Sequence, residues 1–234
     1  MSGEKPFIHH FFADPKTGKE IEEWSFAIID REAPRHHFAP DEWRVVRRMI
    51  HTTGDFSVME AVRFSPDAIS SAIKALKDGS PIYVDSNMIR SGLSRERLKA
   101  VNNDYGTDQI FCHIADADVA RDARESGLPR SLFAVRKARP ILSRCIAVFG
   151  NAPVALLELN RMIIEEGIRP AVVIAMPVGF VHVIESKEEM MSLDIPYIAL
   201  KGRRGGSPIV VSVIHALCSL AESEPGGRDE ETEQ

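Results

Sequence analysis

"SPDAISSAIKALKDGSPIYVD", residues 65–85, sets the pattern that decides the fold. Ser65 stands where a helix N-cap belongs, with Pro66 at the first helical position. Asp67 falls in the first turn, where a negative side chain meets the positive end of the helix dipole. Gly79 sits just past the helix end, where a left-handed backbone is wanted. "PIYVD" then reads as a short apolar strand. The unit is a helix that runs directly into a strand.

The same alternation continues downstream. "SRERLKAV" (94–101) is a helix opening on Ser94, and "IFCHI" (110–114) a strand. "DADVARDARESG" (116–127) is a helix closed by Gly127, and a second helical stretch lies near 131–140. "CIAVFG" (145–150) is a strand, followed by a helix in "NAPVALLELNRMIIEEG" (151–167) that stops at Gly167. "AVVIAMP" (171–177) is a strand, "SKEEMMSL" (186–193) shows a capping box of Ser186 with Glu189, and "YIAL" (197–200) is a strand. "SPIVVSVIHALCSL" (207–220) is the last helix, with Ser207 as N-cap and Pro208 behind it. Five short β-branched strands separated by helices predict an α/β fold, a parallel sheet covered on both faces. Upstream, "WSFAIID" (24–30) reads as a strand or extended segment, and residues 40–51 as a helix. No linker separates this part, so residues 1–220 are expected to form one domain.

Charge is unevenly spread. The 234-residue chain carries 29 basic and 34 acidic residues, a net −5, and residues 221–234, AESEPGGRDEETEQ, hold six acidic residues against one basic. That stretch reads as an acidic, disordered tail. The remaining chain is neutral, which argues against a nucleic-acid surface. Cys112, Cys145 and Cys218 lie in apolar runs without a CxxC and read as buried free thiols in a reducing compartment. Residues 1–12 lack a signal-peptide core, and no run approaches about 18 apolar residues, so a soluble cytoplasmic protein is expected.

Ligands of open parallel sheets bind outside the strands' carboxyl ends. Those positions here hold Asp85 to Met88, His113 with Asp116, Gly150 to Pro153, Pro177 to Phe180, and Lys201 to Ser207. Small and cationic residues on one rim, with glycines that let backbone N–H groups approach, suit a carboxylate or phosphate. "KGRRGGSP" is not a phosphate loop of the GxxxxGK[ST] type, and there is no GxSxG. Cys112, His113, Asp116 and Asp118 lack structural-zinc spacing, so no metal site is expected.

"VVRRMIHTTGD", residues 45–55, ends a helix on a histidine. Arg48 and His51 are three apart and share a helical face. In the last turn the dipole favours imidazolium, which suits a proton donor near neutral pH. A structural histidine bonding the last carbonyls fits the same position. His9, His10, His36 and His37 lie in polar segments, and His182 and His215 read as packing or rim residues.

Taken together, "SFAII", "RRMIHTTGD", "FSPDAISSAIKALKDGSPIYVDSNMIRSG", "GNAPVALLEL", "PVGFVHVIESK" and "KGRRGGSPIV" resemble, in order and spacing, the precorrin-8X methylmutases, including the cobalt-precorrin-8 methylmutases of cobalamin biosynthesis. The resemblance covers about residues 20–220. It implies a flavodoxin-like three-layer α/β/α fold and a homodimer with the active site near the subunit interface. It implies migration of a methyl group from C-11 to C-12 of a corrin-type tetrapyrrole, giving hydrogenobyrinate or cobyrinate. His51 falls on the proton-handling histidine, with Thr52 or Thr53 placed to hydrogen-bond it. Substrate contacts are implied for Ser25, Arg48, Thr52, Asn87, Met88, Arg130, Ser131, Val178, Gly179, Phe180, Gly202, Gly206 and Ser207. No cofactor is implied, since any cobalt belongs to the substrate. Pro129 and Trp24 depart from a usual threonine and arginine, and His182 and His215 stand where smaller or amide residues are common. A corrinoid-binding protein without turnover, or a phosphate-ligand enzyme on the same sheet, is the competing expectation.

Overall fold

Six strands make one sheet: β1 (Val62–Phe64), β2 (Ile82–Val84), β3 (Ile110–Phe111), β4 (Ile146–Phe149), β5 (Val172–Ala175) and β6 (Tyr197–Leu200). The computed structural model describes residues 6–106 and 109–223. The strand order is β1-β6-β5-β4-β2-β3. Strands β2 to β6 are joined in parallel, and β1 runs antiparallel along the outer edge of β6. Counted from β2, the parallel strands follow 2-1-3-4-5, the flavodoxin-like order. The expected five strands are all present, although "IFCHI" contributes only Ile110–Phe111, and the sheet has a sixth strand that alternation with helices could not reveal.

Twelve helices surround the sheet among the described residues: α1 (Ile8–Ala13), α2 (Gly18–Glu32), α3 (Pro40–Thr53), α4 (Val58–Ala61), α5 (Ala68–Lys77), α6 (Asn87–Gly92), α7 (Arg95–Val101), α8 (Ala117–Ser126), α9 (Arg130–Leu142), α10 (Pro153–Glu166), α11 (Val183–Ser192) and α12 (Ser207–Ser223). Successive strand side chains point to opposite faces, and both faces are apolar. Ile146, Val148, Val172 and Ile174 join the core formed with α3, α5, α7 and α12. Cys145, Ala147, Phe149, Val173 and Ala175 join the core formed with α9, α10 and α11. This is the three-layer arrangement. The three cysteines are free and buried, and burial pushes the thiols of Cys145 and Cys218 up to about 12.

Local polar chemistry moves several boundaries. "WSFAIID" is helical, because Thr17 starts α2 with a reciprocal cap: its hydroxyl accepts from Glu20 N at 3.2 Å and Glu20 accepts from Thr17 N at 2.7 Å. Ser65 does not cap α5. Its hydroxyl accepts from Tyr197 N at 2.9 Å, tying β1 to β6, and the helix begins at Ala68 after Asp67. Ser186 lies buried inside α11 and donates to Val183 O at 3.0 Å, while Glu189 accepts from Asn160 at 2.9 Å, so no capping box forms there. Ser207 is the first residue of α12 and not its cap, for its hydroxyl meets that of Ser86 at 3.1 Å. Helix α12 continues to Ser223, past the expected boundary at 220, and the acidic stretch from 224 lies outside the described residues.

The crevice between β2 and β4 is the switch point at which such sheets hold ligands. Here Asp85 fills it. This carboxylate is 1% exposed and accepts from Gly150 N at 3.1 Å, Asn151 N at 2.9 Å and Ala152 N at 2.7 Å. Burial pushes its carboxyl up from the ordinary value, and the three amides pull the other way. The Gly150–Ala152 amides therefore hold the protein's own anion and not a ligand's. Asp85→Ala leaves three backbone donors, one of them fully buried, without their acceptor. It is expected to lower the unfolding free energy by about 3 kcal/mol, with Asp85→Asn intermediate, in urea denaturation followed by circular dichroism.

Candidate active site

The antiparallel strand decides what reaches the rim. Val62, at the start of β1, lies opposite Leu200, at the end of β6. The chain just before β1 therefore sits where the parallel strands finish. Arg204, after β6, pairs with Asp55 and Ser57 across this edge. The end of α3, with His51, is thereby carried to the carboxyl side of the sheet.

Helix α3 is fixed at both ends. Glu42 accepts from Ala39 N at 3.0 Å, Pro40 occupies the first turn, and Gly54 stops the helix at φ 64°. Val45, Val46, Met49 and Ile50 face the core. Their spacing turns Arg48, His51 and Thr52 outward.

Arg48 and Thr52 line a groove of about 340 Å³ with Met88 and Gly92 of α6 and with Ser207, Pro208, Val211, Ser212 and His215 of α12. Gly92 lets the two helices close, since a Cβ there would stand 2.9 Å from Val211. The Arg48 guanidinium bonds Glu22 of α2 at 3.0 Å and lies 5.3 Å above the Phe26 ring. Arg97 reaches the same Glu22 oxygen at 3.9 Å. The exposed His51 ring packs edge-on against Phe26 at 5.3 Å, and its nitrogens bond no described residue. Thr52 and Thr53 donate back to Arg48 O and Met49 O at 3.0 and 2.9 Å, so neither holds the imidazole as expected. Ser25 likewise donates to Ile21 O at 2.8 Å within α2.

Beside the groove, two loops interlock. Gly179 N donates to Arg203 O at 3.2 Å, and Arg203 stacks 5.4 Å from the Phe180 ring. Lys187, fully buried, donates to the carbonyls of Gly202 and Arg204 at 2.9 and 2.7 Å, and burial pushes its amine down to about 8. Gly206 N donates to Met176 O at 3.0 Å, and a Cβ on Gly205 would fall 2.0 Å from that oxygen. Among the described residues, the amides of Gly202, Arg203 and Gly205 make no backbone hydrogen bond. Phe180 and Val178 are exposed, as is Met88.

Not every expected contact converges. Asn87 lines a separate depression with Arg90 and Arg95. Arg130 and Ser131 start α9, in the layer across the sheet from the groove, and Ser131 is buried. Within one chain these three do not join Arg48.

A family model described as precorrin-8X methylmutase matches residues 20–220. The chain belongs to that family. It is 46% identical over 212 residues to the cobalt-precorrin-8 methylmutase of Leptospira interrogans, covering 87% of this chain and 94% of that one. It is 36% identical to the precorrin-8X methylmutase of Pseudomonas aeruginosa, covering 88% and 98%. The solved precorrin-8X methylmutase of Thermus thermophilus superposes with a TM-score of 0.78 at 42% identity, over 86% of this chain and 96% of that one. The chain is thus an isomerase of a family that serves cobalamin biosynthesis.

In this methylmutase-family chain, Glu22 and Arg97 beside the groove escaped the sequence reading, and His215, read as a packing or rim residue, lines it. Glu22 and Arg97 stand in ordinary charged helical surfaces, and only the packing of α2 on α3, and of α3 and α7 on α12, brings them near Arg48. His215 Nε2 accepts from Ser94 N at 2.9 Å. Burial first, then the charges of Arg97 and Arg48, push its imidazole down to about 4 from 6.5, against a smaller opposing effect of Glu22. Among the described residues, no cluster of three or more His, Cys, Asp or Glu could hold a metal, and no helix is long and apolar enough to cross a membrane.

The depressed pKa has a signed consequence. Between about 4 and 6.5 the unfolded chain binds a proton at His215 that the folded chain refuses. Its contribution to stability is full above pH 6.5 and is lost as pH falls towards 4. Solvent screening of this half-buried group limits the effect to about 1–2 kcal/mol. The stability gap between the parent protein and His215→Gln is expected to shrink by that amount from pH 7 to pH 4, measured by urea titrations at each pH.

Proposed function

We propose that the chain moves a methyl group from C-11 to C-12 of precorrin-8X or cobalt-precorrin-8, giving hydrogenobyrinate or cobyrinate, with His51 as the proton donor and acceptor. The observation that carries this reading is the position of His51. It is exposed, unbonded and one turn from Arg48, on the edge where the parallel strands end. An imidazole so placed can protonate or hydrogen-bond the conjugated macrocycle near the migrating methyl. One C–C bond breaks at C-11 and one forms at C-12 within the same molecule, so the shift needs neither oxidant nor co-substrate, and no cofactor is invoked. Any cobalt travels with the substrate.

Arg48 would orient a side-chain carboxylate of the tetrapyrrole, with Thr52, Ser207 and the amides of Gly202, Arg203 and Gly205 as further polar contacts. Met88, Val178 and Phe180 offer apolar surface to the macrocycle. The rest of the acceleration comes from holding a flexible ring in one reactive shape.

The groove of a single chain, about 340 Å³, is near the lower end of small-molecule pockets, and a tetrapyrrole needs more cover. This supports a homodimer in which a second chain completes the site, and it leaves room for Asn87, Arg130 and Ser131 to act across the interface. We place the enzyme in the cytoplasm, with residues 1–220 as its working domain.

Absorption spectra of purified protein with enzymatically prepared precorrin-8X, with and without cobalt, test the reaction. The bands are expected to evolve to those of the rearranged corrin, catalytically. A single shift in proportion to protein, without turnover, would identify a corrinoid carrier instead. His51→Ala is expected to lower kcat at least 100-fold while product still binds. Undiminished turnover in that variant would remove His51 from the mechanism.

A further inference from the structure

Of the residues lining the groove, His215 has been given no role in the reaction. It projects from the middle of α12 into the same groove as Arg48, Thr52 and Ser212. Its two ring nitrogens are in different situations. Nε2 accepts the Ser94 amide at 2.9 Å, which leaves the ring proton on Nδ1. Nδ1 has no protein partner among the described residues. The buried polar atoms without a hydrogen-bond partner among the described residues are His36 Nδ1, Arg47 Nε, Tyr83 Oη, Asn160 Oδ1 and Glu166 Oε2. His215 Nδ1 is not one of them, so this nitrogen keeps access to solvent, and the residue that carries it lines the groove.

We propose that His215 is a substrate-binding and specificity-determining residue, whose neutral Nδ1–H donates to a side-chain carboxylate of the tetrapyrrole held in the groove by Arg48. The inference rests on the function proposed above. The charged groups that face the ring are Arg48 of α3, Arg97 of α7 and Glu22 of α2. Two guanidiniums already answer one carboxylate there. A third cation would be repelled, whereas an uncharged N–H adds a directional bond without added charge. The low proton affinity of the ring, with its pKa near 4, keeps it neutral through the physiological range, and the Ser94 bond fixes its tautomer. Glu22 marks the place as the carboxylate that both arginines face.

Two substitutions separate binding from architecture. Gln can accept from Ser94 N through its carbonyl and present an N–H₂ to the groove. Glu can make the same Ser94 bond but presents an anion to the groove. Dissociation constants for the tetrapyrrole come from equilibrium absorbance titration, which needs no turnover, and Tm and steady-state constants are measured alongside. We expect His215→Gln to bind within about threefold of the parent. We expect His215→Glu to keep its Tm and to raise the dissociation constant and KM at least 30-fold, with kcat changed little. Unchanged binding in His215→Glu overturns the proposal, as does an equal loss of binding and Tm in both variants. If the parent converts substrate and His215→Glu matches it, this inference alone fails. If the parent neither binds nor converts the tetrapyrrole, the functional reading fails and takes the inference with it.

Discussion

A buried carboxylate sits at the centre of this molecule. Asp85 ends β2, and its oxygens gather the first three amides after β4. A parallel sheet of this order opens a crevice between those two strands, and the crevice is lined by unsatisfied N–H groups. Leaving them bare would cost about 1–3 kcal/mol each. By meeting them internally, the protein closes the usual ligand position of its fold. The remaining open groove lies to one side, between α3, α6 and α12.

That displacement explains why the N-terminal third matters. In a plain doubly wound domain the rim is built from loops after strands. Here the groove wall is a helix that precedes the sheet, brought round by β1 running against β6. Three residues of antiparallel pairing thus place His51 and Arg48, and the Arg204 contacts to Asp55 and Ser57 hold the junction shut.

Much of this was legible in the residues. The strand segments "PIYVD", "CIAVFG", "AVVIAMP" and "YIAL" are apolar on both faces because both faces are covered, and their helices stop at Gly79, Gly127 and Gly167 as glycines allow. What stayed hidden depends on distant partners. "VRF" is too short to stand out as a strand before β6 is beside it. "WSFAIID" alternates well enough to pass for a strand, and the Thr17–Glu20 cap outside the segment overrules it. Ser65, Ser186 and Ser207 have the right type for caps, yet each hydroxyl bonds elsewhere. The family resemblance located Arg48 and His51. It could not show that Glu22 meets Arg48 or that His215 shares its groove, because those arrangements join helices far apart in the chain.

Lys187 has an effect out of proportion to its concealment. By binding the carbonyls of Gly202 and Arg204, it pins the path of the loop after β6 from the inside. Replacing the side chain of Arg203 or Arg204 leaves these bonds in place, because Lys187 holds the backbone carbonyls and not the guanidiniums. The shape of this edge is written into the path of the backbone, and one buried amine holds it.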